Sequence, residues 1–220
     1  HAGLFDTSDM DVLAVNGPGA FALLQLCFTR DLRQCVGRSR DPLTPGRCVY
    51  GAFLNDFGDL IDDAILYFMQ PDEYVVAVNA GMGDTIVDHL SSHARGAETR
   101  ISCCRDNVGK IDLQGPMSAR ILLNVLQEPE SVLSGLEYFT FAGHFDGESQ
   151  LARVRLLDGT ALLLSRTGYT GEFGFEIFVR SAHLVRVWET ILSAGKHCGL
   201  MPCGLAARDS LRVGAVLPLS

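Results

Sequence analysis

A punctuation mark that occurs twice constrains this chain more than any other feature. The strand-like run Asp11 to Asn16 ends in Gly17-Pro18, and the run Val108 to Gln114 ends in Gly115-Pro116. Glycine supplies the backbone freedom of a tight turn, and proline is well placed in the first turn of a helix. Each mark is followed by apolar residues at helical spacing, Phe21, Leu24 and Cys27/Phe28 in one case, Ala119, Leu122 and Leu123 in the other. Strand-like runs come next, and each half closes with a helical stretch, Gly83 to His93 and Ala182 to Ala194. A chain that reads strand, Gly-Pro, helix, strands, helix twice at a period of about one hundred residues is an internal duplication of topology. It predicts an α+β fold of two packed units, each a mostly antiparallel sheet with flanking helices. We place the first unit at residues 14–112, as a ferredoxin-like subdomain. The second is then discontinuous, from residues 1–13 and 113–220.

Punctuation fixes the remaining elements. Gly46 to Leu54 and Leu60 to Phe68 read as strands joined by the turn Asn55-Asp-Phe-Gly58, whose residues tolerate hairpin dihedrals. After Pro71-Asp72 comes a strand from Glu73 to Asn79, then the Gly83 to His93 helix with Asp84 as its N-cap, then a strand from Thr99 to Cys104. The segments Arg30 to Pro45 and Gln127 to Gly135 read as polar loops. Leu151 to Leu157, Thr160 to Arg166 and Gly174 to Val179 read as strands, with Asp158-Gly159 a hairpin turn and Tyr138 to Phe145 a further candidate. Gly204 to Arg212 is a short helix, and Val213 to Ser220 is an apolar tail that needs something to dock on.

Composition narrows the function classes. The formal charge is −8 and there is no basic run, which argues against a nucleic-acid surface and leaves small molecules or a protein partner. No apolar run approaches the ~18 residues of a membrane span. Neither a secretory signal nor an Arg-rich transit segment is recognisable. Seven cysteines, an odd number without any CxxC, read as free thiols of a reducing compartment.

The stretch Ser165-Arg-Thr-Gly-Tyr-Thr-Gly-Glu-Phe-Gly-Phe-Glu176 carries glycines at every third position, Gly168, Gly171 and Gly174. Such spacing suits a backbone that turns tightly or approaches another group where a Cβ would collide, or simply a long hairpin loop. Leu60-Ile-Asp-Asp-Ala-Ile-Leu-Tyr67 places two carboxylates inside a strand, where Asp is unfavourable. Alternation groups Asp63 with Ile65 and Tyr67, and Asp62 with Ala64 and Leu66. A half-buried carboxylate there would have a raised pKa and could hold a proton or orient an amine; otherwise it bonds the neighbouring hairpin's backbone. Asn79 could face the same cavity or serve a turn. Arg208 could pair with Asp209 or Glu189, or bind an anionic ligand in its planar fork. His89 and His93 stand i,i+4 on one helix, a spacing metals can use. With no third ligand nearby in sequence they read as a solvated face, and no metal is expected. There is no GxSxG nucleophile elbow and no P-loop.

These residues resemble those of a known family. The 165–176 stretch is similar to the signature of aminomethyltransferases, the T-proteins of the glycine cleavage system. Leu4-Phe-Asp-Thr-Ser-Asp-Met10 resembles the family's FDVSHM segment, and Leu54-Asn55 through Asp62-Asp63 its LNxxGGxxDD hairpin. Val78-Asn79-Ala80, Leu113-Gln-Gly-Pro116 and Gly204-Leu-Ala-Ala-Arg-Asp209 follow in the family's order. The resemblance implies the T-protein folate-binding fold without its C-terminal β-barrel domain. It also implies a tetrahydrofolate site in a central channel. Carried over, the folate-facing positions are Met10, Tyr50, Asp63, Ile65, Tyr67, Asn79, Tyr169, Glu176 and Arg208. Asp63 is the expected catalytic residue, Glu176 the acceptor for the pterin's amino-pyrimidine edge, and Arg208 the partner of an acidic group. Three positions depart from the family pattern: Asp9 replaces a His, Asp59 a Gly and Gly214 a Glu.

The implied reaction transfers a one-carbon unit from the aminomethyl-lipoyl arm of H-protein to tetrahydrofolate, releasing ammonia. Lipoylated H-protein and folate are then the partners, with neither nucleic acid nor membrane. The implied compartment is bacterial cytoplasm or mitochondrial matrix. Two alternatives stand beside it. One is another tetrahydrofolate-dependent demethylase or methyltransferase of the superfamily. The other is a non-catalytic folate-binding protein, against which the lack of a Cys in Thr167 to Glu172 counts.

Overall fold

The computed structural model describes residues 1–94, 98–147 and 151–219. Twelve strands and six α-helices follow one another among them. In chain order they are β1 (Ala2–Asp6), β2 (Asp11–Asn16), α1 (Ala20–Cys27), β3 (Cys48–Leu54), β4 (Leu60–Gln70), β5 (Glu73–Val78), α2 (Gly83–His93) and β6 (Arg100–Cys103). Then come β7 (Val108–Gln114), α3 (Ser118–Leu122), α4 (Pro129–Ser134), β8 (Phe141–Gly143), β9 (Val154–Arg155) and β10 (Ala161–Ser165). The chain closes with β11 (Gly174–Arg180), α5 (Leu184–Gly195), β12 (Leu200–Cys203) and α6 (Leu205–Gly214). Among the described residues no helix is long and apolar enough to cross a membrane.

Contacts divide the chain into two units, one of residues 9–105 and one of residues 1–8 with 106–219. The expected boundaries at 14 and 112 fall inside β2 and β7.

The 9–105 unit is a five-stranded antiparallel sheet in the order β3-β4-β5-β2-β6. One face carries α1 and α2 over a core that includes Leu13, Leu24, Phe53, Leu66, Val76, Ile86 and Leu90. The loop between α1 and β3 is not wholly polar: Leu32 and Leu43 are buried in that core.

The other unit is a seven-stranded sheet in the order β12-β1-β7-β11-β10-β8, with β9 paired to β10. Its pairs are antiparallel apart from β1 and β12, which run parallel. Its core joins Leu4, Ile111, Leu122, Leu164, Ile177, Val187 and Ile191, with Trp188 packed at the margin.

The duplication read from Gly-Pro is present in the topology. Matching β2 to β7, β4 to β10, β5 to β11 and β6 to β12 superposes the strand order of one sheet on the other. The difference is that β1 is inserted between β7 and β12. Gly17 and Gly115 both adopt φ values that L side chains rarely reach, +116° and +121°. Each donates its N–H to the residue just before the neighbouring strand, Gly17 to Asp72 O ahead of β5 at 2.8 Å and Gly115 to Phe173 O ahead of β11 at 2.6 Å.

Four local expectations are corrected. Gln127 to Gly135 is not all loop, since Pro129, pre-set for a first helical turn, opens α4. The 151–157 run forms only the two-residue β9. β1 and β12 were not anticipated, because each is short and takes its partners from distant sequence. Asp84 is not the cap of α2: Met82 is the N-cap, and the carboxylate of Asp11 on β2 accepts the Gly83 N–H at 2.8 Å. Of the expected tail, Ser220 lies outside the described residues.

Candidate functional site

Two polar constellations stand out, one in each unit. In the 9–105 unit the paired carboxylates of β4 part as alternation requires. Asp62 is buried on the core face with Ala64 and Leu66, and Asp63 is half-buried on the other face with Ile65. Asp62 accepts two hydrogen bonds from Asn79, one from its backbone N at 2.9 Å and one from its Nδ2 at 2.7 Å. The same Nδ2 donates to Asp63 Oδ1 at 2.7 Å, and Tyr50 Oη donates to Asp63 Oδ2 at 2.6 Å. Tyr50 reaches Asp63 because β3 pairs Tyr50 with Ile65 and Ala52 with Asp63, which makes the two diagonal neighbours. Tyr50 remains 41% exposed, so the phenol that holds Asp63 is open to solvent. Tyr67, on the Asp63 side by alternation, is fully buried, and Met10 is half-buried just before β2.

The Asp pair thus divides its labour. Asp62 is the backbone-binding Asp that the strand reading offered as an alternative. Asp63 is oriented by a phenol and an amide.

Beside it, Asp11 is fully buried and takes a two-point contact from Arg105, Nε at 2.6 Å and Nη2 at 2.8 Å. This hydrogen-bonded guanidinium, with the Gly83 N–H, holds the Asp11 carboxyl below the usual carboxylate range against the opposing effect of burial. Arg105 also reaches Asp84 at 3.3 Å.

In the other unit the centre is β7, whose seven residues are all buried although Lys110, Asp112 and Gln114 are polar. Asp112 on β7 is directly opposite Glu176 on β11. Two like charges so placed repel, and Lys110 lies between them. Lys110 Nζ is 2.6 Å from Asp112 Oδ1 and 2.6 Å from Glu176 Oε1. Thr167 Oγ1 donates to the other Glu176 oxygen at 2.5 Å, and Thr7 Oγ1 to Asp112 Oδ1 at 3.2 Å. Arg208 of α6 completes the group with Nε 3.2 Å from Asp112 Oδ2, its guanidinium 4.7 Å from the centre of the Tyr169 ring. Tyr169 Oη bonds to Pro218 O. Arg208 thus pairs with the distant Asp112, and Asp209 pairs with Arg212.

The glycines of the 165–176 stretch now have a physical cause. A Cβ on Gly168 or Gly174 would run into the side-chain amide of Gln114, and Gly171 sits at φ +73°. Gln114 Nε2 donates to Phe175 O at 3.2 Å and to Thr167 O at 3.4 Å, and its Oε1 accepts from Thr170 Oγ1 at 3.3 Å. The loop closes over a buried amide, which fixes Thr167 and Tyr169 at its start and Glu176 beyond it.

Sequence reading missed Lys110, Asp112, Gln114, Asp11 and Arg105. One signal was available for three of them: polar residues at i, i+2 and i+4 along β7. Alternation alone places such a face in solvent.

Comparison with known proteins follows from this geometry. The family described as GCVT N-terminal domain matches residues 1–220. Among curated relatives, an aminomethyltransferase of Anoxybacillus flavithermus is 37% identical over 100% of this chain and 54% of its own length. Those of Streptomyces coelicolor and Bacillus subtilis are 34% and 36% identical, with 53% and 54% of their lengths covered. The chain therefore spans about half the length of the curated relatives it matches. Among solved structures, glycine cleavage system aminomethyltransferase T from Bartonella henselae aligns with a TM-score of 0.75 at 29% identity, over all of this chain and 52% of that one. Heterotetrameric sarcosine oxidase from Corynebacterium sp. U-96 shares the fold, with a TM-score of 0.60 at 16% identity over 89% of this chain and 84% of that one. With a match from its first residue to its last, the chain belongs to the GCVT N-terminal domain family.

Proposed function

We propose that this domain is the folate-binding part of an aminomethyltransferase. The reaction transfers the one-carbon unit carried on the lipoyl arm of H-protein to tetrahydrofolate, with release of ammonia. Family membership and curated relatives that bear the aminomethyltransferase name support the reaction class. The observation that carries the residue assignment is the Tyr50–Asp63–Asn79 constellation. Asp63 is a half-buried carboxylate aimed by a phenol and an amide, on a strand whose other carboxylate already serves the backbone. Such a group suits a substrate amine, since carboxylate oxygens accept from several donors at once.

In this reading Asp63 positions the folate nitrogen and stabilises the positive charge that develops as ammonia leaves. Tyr50 and Asn79 hold its oxygens in place. Met10 and Ile65 supply apolar surface, and the buried Tyr67 backs the Asp63 face of β4. Glu176 accepts from the amino-pyrimidine edge of the pterin, its two oxygens oriented by Lys110 and Thr167. Tyr169 offers an aromatic face, and Arg208 a cation for an acidic group.

The test is Asp63→Asn in the complete protein that carries this domain. Tetrahydrofolate affinity should be kept. Turnover with aminomethylated H-protein should fall by roughly 10²–10³-fold, the loss expected when one preorganised electrostatic partner of the transition state is removed. Turnover at the wild-type rate would refute the role of Asp63. Turnover of small methylated amines in place of the H-protein adduct would assign the domain to another folate-dependent transferase.

A further inference from the structure

Cys27 is the last residue of α1, and His89 and His93 lie one turn apart on α2. The Cys27 sulfur and one ring nitrogen from each imidazole all lie within 4.8 Å of one another. The histidine pair is therefore not the solvated face that its sequence neighbourhood suggested. A third group with donor chemistry, the Cys27 thiol, comes from the other helix.

The details are those of a ligand set. His93 Nδ1 is 2.8 Å from the carbonyl oxygen of His89. A carbonyl can only accept, so Nδ1 is the donor of this contact and Nε2 is the ring nitrogen left to bind a metal. Metal-binding histidines are commonly held in this way, with the far N–H given to a carbonyl. His93 Nε2 lies 3.7 Å from Asp56 Oδ1 in the β3–β4 turn. His89 Nε2 is buried and has no hydrogen-bond partner among the described residues, which is costly for a polar atom. The three residues and Asp56 line a cavity of about 330 Å³ between the end of α1, the turn and α2.

We propose that Cys27, His89 and His93 form a binding site for a zinc-class divalent cation, with Asp56 at the fourth position. One sulfur, two imidazole nitrogens and one carboxylate are the donor mix of tetrahedral zinc sites, whereas magnesium and calcium take oxygen. Ligands about 2.0–2.3 Å from a shared ion stand about 3.3–3.6 Å apart, so side-chain shifts of the order of an ångström bring Cys27, His89 and His93 onto one ion. As the metal–sulfur bond forms, the thiol proton leaves to solvent, and nothing is oxidised or reduced. The bound ion pins the end of α1 and the β3–β4 turn to α2. That clamp lies within the unit that also contains Asp63, and it depends on none of the folate assignments.

The experiment titrates the chelator-stripped protein with Co²⁺ and, separately, with Zn²⁺. Co²⁺ should produce a thiolate-to-metal charge-transfer band and tetrahedral d–d absorption at one equivalent. Zn²⁺ should displace it and raise the thermal midpoint by mass action, while Mg²⁺ and Ca²⁺ change nothing. Cys27→Ser should abolish the charge-transfer band. His93→Gln should weaken Zn²⁺ binding by more than the 10–100-fold typical of an outer-shell loss. Asp56→Asn, in an exposed turn that tolerates the change, should weaken it less. Absence of a charge-transfer band in the folded wild-type protein would overturn the proposal. Zn²⁺ affinity unchanged in His93→Gln would do so equally, whatever Cys27→Ser does to folding.

Discussion

Replacing Lys110 by Met tests the charge balance around β7. The side chain is 1% exposed and bridges Asp112 and Glu176, themselves 0% and 4% exposed. With Arg208 the group carries two positive and two negative charges. Met nearly preserves length and bulk, so little cavity forms, but it leaves two carboxylates face to face with one guanidinium. Removing one partner of a buried ion pair costs about 3–5 kcal/mol, because the other charge stays buried without compensation. Glu176→Gln alone leaves Lys110 paired with Asp112, and should cost about 1–3 kcal/mol for hydrogen bonds weakened at a buried group. Lys110→Met/Glu176→Gln restores one carboxylate against one guanidinium, so the double variant should recover about 1–3 kcal/mol relative to the sum of the singles.

The assay is urea unfolding followed by fluorescence. The single tryptophan, Trp188, packs at the margin of the core of the same unit, so its emission reports the unit that holds Lys110. The reasoning fails if Lys110→Met unfolds within about 1 kcal/mol of wild type at unchanged urea dependence. A strictly additive double variant would show that Lys110 and Glu176 do not compensate each other.

Two further outcomes follow from the 9–105 unit. Asp62→Ala should destabilise by about 1–3 kcal/mol, since it strips a buried acceptor from the half-buried backbone N–H and side-chain amide of Asn79, while Asp63→Ala should cost under about 1 kcal/mol and act on turnover; urea midpoints in the opposite order would reverse the roles of the two carboxylates. Arg105→Met should destabilise at neutral pH by removing the guanidinium that lowers the Asp11 pKa. Because a depressed carboxylate stabilises above its unfolded pKa of about 3.9 and loses that contribution as pH falls through its folded value, the gap between variant and wild type should narrow below pH ~4. A gap that stayed constant from pH 7 to pH 3 in urea titrations would show that Asp11 is not the linked group.

How much of this was legible depended on where each partner lies in sequence. β4 was legible because strand alternation is local. It separated Asp62 from Asp63 and grouped Asp63 with Ile65, and the hairpin turn fixed the register with β3 that brings Tyr50 to Asp63. The cap of α2 was not legible, since Asp84 has the right position for a cap but the donor is met by Asp11 from a distant strand. The ligand set of Cys27, His89 and His93 was only two-thirds visible for the same reason: the i,i+4 pair is local and the thiol is not. β7 misled in a different way. Its polar alternation is what a solvent-facing strand shows, and its charges are buried only because a neighbouring strand and α6 bring opposite charges to it.

The duplication shows that this buried charge is not required by the fold. In the β2–β5 pair of the 9–105 unit, the positions that correspond to Asp112 and Glu176 are Ala14 and Val75, and Val12 stands where the other unit has Lys110. One copy of the frame closes its sheet centre with apolar residues; the other places two carboxylates opposite each other and clamps them with a lysine. Replacement of such clusters by packed apolar residues is often neutral or stabilising, so stability is a weak reason to keep one. The inserted β1 strand and α6 bring Thr7 and Arg208 to Asp112, and the glycine-rich loop brings Thr167 to Glu176. The residue after β1, α6 and the glycine-rich loop thus each hold a carboxylate in a fixed orientation. That is what a binding group requires and a core does not, and it is the physical case for Glu176 as a recognition residue, beside the likeness of its loop to the T-protein signature.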